Sequence, residues 1–138
     1  MLAMYYLDTE IPLALFQRVL KRKIYVDKSL LIDKLNDVIG TDECYYCITR
    51  PRRFGKTINA NMLGAYYTQG FDTHDLFKDL KIAQTASYEE HINQYHVVYI
   101  DFSRTPDHYD SYQTYIDSIM RTLKEDLVTV YPKLSDIK

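Results

Sequence analysis

Residues 50–57 read Arg50-Pro51-Arg52-Arg53-Phe54-Gly55-Lys56-Thr57, and the last three are the types that close a phosphate-binding loop. The P-loop (Walker A) pattern is a glycine, four residues, then Gly-Lys followed by Ser or Thr. Gly55 lets the backbone approach a phosphate with no Cβ in the way. Lys56 supplies a mobile cation for the terminal phosphates of ATP, and Thr57 offers a hydroxyl to Mg²⁺. Arg50 stands where the pattern has its first glycine. If that position needs positive φ, the side chain costs ~1 kcal/mol. Each charge-assisted hydrogen bond to phosphate contributes about 1.5–3 kcal/mol, so several outweigh the strain. Arg52 and Arg53 add positive charge at the same place.

Such a loop works when it joins a strand to a helix, so that loop amides and the helix N-terminus face one concavity. Both flanks are expected here. Residues 44–49, short, apolar and aromatic, read as a buried strand. Lys56–Tyr67 has helical spacing, with Ile58, Met62, Ala65 and Tyr66 on one face. Gly64 weakens that helix by roughly 1 kcal/mol relative to alanine, and Gly70 ends it.

The remaining elements follow from the same reasoning. Pro12 opens a first helix carrying Leu13, Phe16, Val19 and Leu20. Residues 24–26 form a short extended run. Asp27 is a helix N-cap for a second helix with Leu31, Ile32, Leu35, Val38 and Ile39, closed by Gly40. Asp75 to Lys81 holds a short helical turn. Ser87-Tyr88-Glu89-Glu90 fits a capping box and predicts a helix through Gln94. Residues 96–102 read as a second buried strand. A last helix runs from about Ser111 to Tyr131, with Ile116, Ile119, Met120, Leu123, Leu127 and Val130 on one stripe. The alternation predicts an α/β fold, P-loop NTPase-like, with parallel strands flanked by helices. Two strands alone leave both edges open, so a partial sheet is expected. The organisation expected is one domain, residues 1–138, with a helical lead-in over 1–40 and the P-loop core over 41–138.

Composition narrows the function classes. The chain has 138 residues, 46% of them hydrophobic, enough for a modest core and too apolar for a disordered chain. A net charge of −2 gives no global reason to bind nucleic acid or a membrane surface. No run approaches the ~18 apolar residues of a membrane span. Asp8, Glu10 and Pro12 break any secretory pattern after Met1, so a cytoplasmic protein is expected. Fourteen tyrosines and no tryptophan place many phenols at the edge of the core, where each hydroxyl needs a partner.

Four spaced blocks carry a resemblance. Residues 50–57, Tyr25-Val26-Asp27-Lys28-Ser29, Leu76-Phe77-Lys78-Asp79-Leu80-Lys81-Ile82 and Val97-Val98-Tyr99-Ile100-Asp101-Phe102 resemble the AAA-ATPase-like family of bacterial P-loop proteins. The similarity runs from about Ile11 to beyond Phe102. That family's loop normally reads Arg-Pro-Arg-Arg-Phe-Gly-Lys, so Arg50 matches it. The resemblance implies an ATPase with ATP and Mg²⁺ as cofactors, related to archaeal ATPase and STAND groups. In many members a restriction-endonuclease-like domain lies far downstream, and mobile-element or defence roles are associated with the group. It also implies that residues 25–29 contact the base, beside the plain reading of Asp27 as a helix cap.

Hydrolysis needs an acid for Mg²⁺ and a group that orients the attacking water. Asp101 closes an apolar strand and has two readings: a contact to Mg²⁺, or a carboxylate capping the next turn. In the family the acidic pair lies on a later strand, and nothing after Asp101 reads as one. The expectation is the front portion of an ATPase, with nucleotide binding better retained than hydrolysis. Its partners would be nucleotide and a downstream ATPase portion or another subunit. The other class is a noncatalytic interaction module that sets the Arg50–Lys56 basic loop on a nucleic-acid backbone or an acidic partner.

Three weaker signals are set aside. Cys44 and Cys47 have C-x-x-C spacing but no second pair for zinc, and are expected as buried reduced thiols. His74, His91, His96 and His108 share no ligand spacing. Pro106-Asp107 and Asp136-Ile137-Lys138 imitate a nuclease pattern without adjacent strands to hold it.

Overall fold

Pro12 fixes φ where a helix leaves its first amides unpaired, and the chain turns helical there: α1 spans Ile11–Leu20. The computed structural model describes residues 5–48, 56–101 and 111–133. Among the described residues six helices follow one another: α1, α2 (Leu30–Asn36), α3 (Lys56–Tyr67), α4 (His74–Phe77), α5 (Tyr88–His91) and α6 (Tyr112–Val130). A 3-10 turn, Lys81–Gln84, lies between α4 and α5. The chain divides into two units, residues 10–96 and residues 1–9 with 97–138.

The larger unit is built around Phe16 of α1, Ile32 of α2, Met62, Ala65 and Tyr66 of α3, Phe77 of α4, Ile82 and Ile92, all buried. Phe16 and Phe77 stack with centroids 5.3 Å apart, and Tyr66 meets Phe77 edge-on at 5.5 Å. Offset and edge-to-face rings add to what burial of their area alone provides. Polar groups then fix which way each helix faces. The Asn36 amide donates to Tyr66 Oη at 3.3 Å and to Ser87 Oγ at 3.0 Å, and its carbonyl accepts from Tyr67 Oη at 2.6 Å. One buried side chain thereby ties α2 to α3 and to the start of α5. The tyrosines divide instead of gathering at the core's edge: Tyr66 is fully buried and Tyr45, Tyr46 and Tyr112 are exposed, while the buried Tyr88 hydroxyl has no hydrogen bond among the described residues.

In the smaller unit the Asp126 carboxylate, on α6, is buried. It accepts amide hydrogens from Tyr5 at 3.1 Å, Tyr6 at 2.7 Å and Leu7 at 3.2 Å. The Asp8 amide donates to the Val97 carbonyl, and the Tyr99 amide to the Tyr6 carbonyl, around an antiparallel Leu7–Val98 bridge.

The expected α/β fold with parallel strands is corrected by this architecture. The described residues are mostly helical and hold no strand and no sheet, only two isolated bridges. The first run read as a strand is exposed throughout its described residues, Tyr45 at 90%. Aromatic and β-branched residues favour extended backbone, but a strand exists only where another chain segment satisfies its amides. Val98 has that for one bridge, and it is antiparallel. The single parallel bridge, Thr68–Tyr95, joins the end of a helix to a loop.

Two helix boundaries also moved. α2 ends at Asn36 instead of running to Ile39, although Gly40 does take positive φ, +83°. The capping box does not form. Ser87 makes no cap hydrogen bond, because its hydroxyl donates to Asp33 at 2.7 Å and accepts from Asn36, and α5 stops after one turn.

Candidate functional site

Lys56 and Thr57 lie on α3 (Lys56–Tyr67), and Thr57 is exposed. Arg50, Pro51, Arg52, Arg53, Phe54 and Gly55 lie outside the described residues, as do Asp107, His108 and residues 136–138. Asp101 is half-buried and belongs to the other unit.

What holds this helix is its far end. Met62, Ala65 and Tyr66 are buried as their spacing predicts, and Ile58 is half-buried. A helix leaves its last carbonyls without partners. Here residues 93–95 supply them: the Asn93 amide donates to the Tyr66 carbonyl at 2.7 Å and the Tyr95 amide to the Tyr67 carbonyl at 3.0 Å. Asn93 reaches this place with φ +56°. Its side chain works in both directions, donating to the Thr68 carbonyl at 3.0 Å and accepting from the Thr73 amide at 3.1 Å. Asn tolerates the left-handed region better than most residues, which explains its use here. Nothing in the periodicity pointed to Asn93. An asparagine beside a loop is the only signal, and it is a weak one.

Residues 25–29 have an architectural task in this structure. Asp27 accepts from the Ser29 amide through Oδ1 and from the Lys81 amide through Oδ2, each at 2.8 Å. The buried Ser29 hydroxyl accepts from the Ile82 amide at 3.0 Å. Partial burial alone would push the Asp27 carboxyl up, but the hydrogen bonds from Ser29 and Lys81 and the Lys81 charge hold it below its ordinary value. Ser29, not Asp27, occupies the N-cap position of α2. The Tyr25 phenol is raised to about 12, by burial first and then by the Asp27 charge. Val26 and Lys28 are exposed.

The cysteines differ from expectation. Cys44 and Cys47 are free, as anticipated, but exposed and not buried. Every residue from Thr41 to Ile48 is exposed, because this segment has no sheet to enter. Three histidines have polar partners: His74 lies between Asp72 and Glu89, His91 meets the Tyr95 hydroxyl at 2.6 Å, and His96 faces Gln69. Among the described residues no group of three or more His, Cys, Asp or Glu side chains could hold a metal ion. No helix of those residues is long and apolar enough to cross a membrane.

The chain belongs to the AAA-ATPase-like family, described as predicted AAA-ATPase, whose model matches residues 11–137. Membership carries an expectation of nucleotide use. No curated protein and no solved structure matches the chain.

Proposed function

We infer that the chain binds ATP with Mg²⁺ through residues 50–57, and that hydrolysis is the weaker of its capacities. The observation that carries this reading is that Lys56 and Thr57 of the Gly-Lys-Thr string lie on the helix α3, Lys56–Tyr67. A helix N-terminus presents unpaired amides and the positive end of the helix dipole, roughly half an elementary charge. Lys56 adds the cation that a triphosphate calls for at such a terminus. Arg50, Arg52 and Arg53 add to that charge. Thr57 is exposed, which suits a ligand of Mg²⁺. The metal would neutralise phosphate oxygens; the chain's part is to bind and orient them. Family membership supports the same reading.

The test is an equilibrium titration with fluorescent ATP, with and without Mg²⁺, at low and high salt. Saturable, Mg²⁺-dependent binding that unlabelled ATP competes away, and that Lys56→Ala weakens at least ~10-fold, supports the reading. Binding that ignores Mg²⁺ and nucleotide identity but collapses with salt would instead assign the loop to polyanion contact.

A further inference from the structure

We propose that Tyr95 is a nucleophilic modification site, its phenol activated by His91 as general base, and that it takes acyl groups from activated esters. Its chemistry needs no nucleotide. The Tyr95 hydroxyl oxygen lies 2.6 Å from His91 Nδ1, within reach of direct proton transfer. A nucleophile at that distance from a base, with the base oriented by further groups, is the signature of an activated hydroxyl. Two contacts orient this base. The His91 and Tyr95 rings stack, with centroids 5.9 Å and planes 15° apart. On the other ring nitrogen, Nε2, the Glu90 carboxylate stands 4.0 Å away. An anion there favours the proton on Nε2, which leaves the Nδ1 lone pair facing the phenol.

The pair is made by a turn and not by a continuous helix. α5 ends at His91, and Ile92 is extended. Asn93 then takes φ +56°, in the left-handed region, and the chain folds back onto the end of α3. Tyr95 is pinned there on both sides. Its amide donates to the Tyr67 carbonyl at 3.0 Å, and its carbonyl accepts from the Gln69 amide at 2.8 Å. Tyr67 also meets its ring edge-on at 5.8 Å. Nucleophile and base are thus held in place before any reagent arrives, which is where proximity gains its rate. The His91 side chain is only 13% exposed, while Tyr95 is half-buried and keeps some access to solvent.

The transfer is balanced. The Tyr95 oxygen attacks the ester carbonyl carbon as its proton passes to His91 Nδ1. A new C–O bond forms, the bond from that carbon to the leaving oxygen breaks, and the leaving group departs with the electron pair. The imidazolium gives its proton to the leaving group or to water and is restored as a base. The products are O-acyl Tyr95 and an alcohol or phenol, with nothing oxidised or reduced.

p-Nitrophenyl acetate serves as the probe, on the full chain after alkylation of the exposed Cys44 and Cys47 thiols. Acetylation of each tyrosine is followed by peptide mass measurement beside the release of p-nitrophenolate. Exposure alone would put Tyr45 and Tyr112, at 90% and 75%, ahead of half-buried Tyr95. The expected order is the reverse, with Tyr95 about tenfold faster than Tyr112. His91→Phe keeps a ring against Tyr95 and removes the base. It should slow Tyr95 by about a hundredfold and leave Tyr112 unchanged. Glu90→Gln should slow Tyr95 severalfold, with Glu90→Asp recovering the rate; an unchanged rate in Glu90→Gln would remove Glu90 from the site. Tyr95→Phe loses only the hydroxyl and should abolish the fast release of p-nitrophenolate. Urea midpoints establish that each variant is folded. Tyr95 acetylated no faster than Tyr112, or equally fast without His91, would overturn the proposal. So would fast release that persists in Tyr95→Phe, which would make His91 itself the nucleophile.

Discussion

His74 lies between two carboxylates, 2.6 Å from Asp72 and 3.0 Å from Glu89. The hydrogen bonds to Glu89 and then Asp72 raise the imidazole above its ordinary 6.5, and the bond to His74 lowers Asp72 below 3.8. The His74 contribution is therefore complete below about 6.5 and is lost as pH climbs through the raised value in the folded chain. Asp72 contributes above its unfolded value and is lost as pH falls through the depressed one. The window of joint stabilisation lies between them. Urea denaturation of His74→Gln should show its largest deficit against wild type near pH 5.5 and a narrowing deficit toward pH 9; a constant deficit would contradict the pairing. Thr57 gives a second prediction. Because it is exposed, Thr57→Ala should change stability by less than about 0.5 kcal/mol, while weakening ATP binding only when Mg²⁺ is present. Retained Mg²⁺-dependence would remove Thr57 from the site. At this scale the helical placement of Lys56 and Thr57 was legible, because Lys56–Tyr67 keeps helical spacing. Asp126 was not: a carboxylate in an amphipathic helix reads as solvated until the amides of residues 5–7 close on it.

Helices with one apolar face were easy to find, since α1 and α3 follow the 3.6-residue period that their buried side chains obey. α6 is helical as expected, but of its stripe only Ile119 is buried, Met120 is 60% exposed and Asp126 is buried. Strands were not easy to find, because residues 44–49 and 96–102 have strand composition, while pairing is settled by segments far away in sequence. The same limit explains α5. Its capping box is a local pattern, and a distant acceptor, Asp33, outcompeted it for the Ser87 hydroxyl. Asn36 is the joint on which these elements depend. Removing it leaves Tyr66 and Tyr67 hydroxyls to repartner in a buried setting, where an unmet polar group costs about 1–3 kcal/mol. Asn36→Ala should accordingly lower the free energy of unfolding by about 2 kcal/mol with the m-value unchanged, measured by urea titration. A loss below a few tenths would show that the network is dispensable. Phe16→Ala, opposite the stacked Phe77 ring, should cost about 3–5 kcal/mol, the usual range for an emptied aromatic core position.

For the chain as a whole, the family was readable while the architecture was not. Blocks such as residues 50–57 and 76–82 keep their identity whatever surrounds them, and the family match over residues 11–137 agrees with them. The sheet expected between those blocks had no such local warrant, and the described residues pack as helices. Nucleotide binding at Lys56 is the claim on which function depends, and thermal unfolding with and without MgATP tests it most directly. At ~100 times the dissociation constant, MgATP should stabilise wild type by about 2.7 kcal/mol and raise its midpoint, while Lys56→Ala under the same conditions shows little or no shift. An unmoved wild-type midpoint, or an equal rise in Lys56→Ala, would contradict the account.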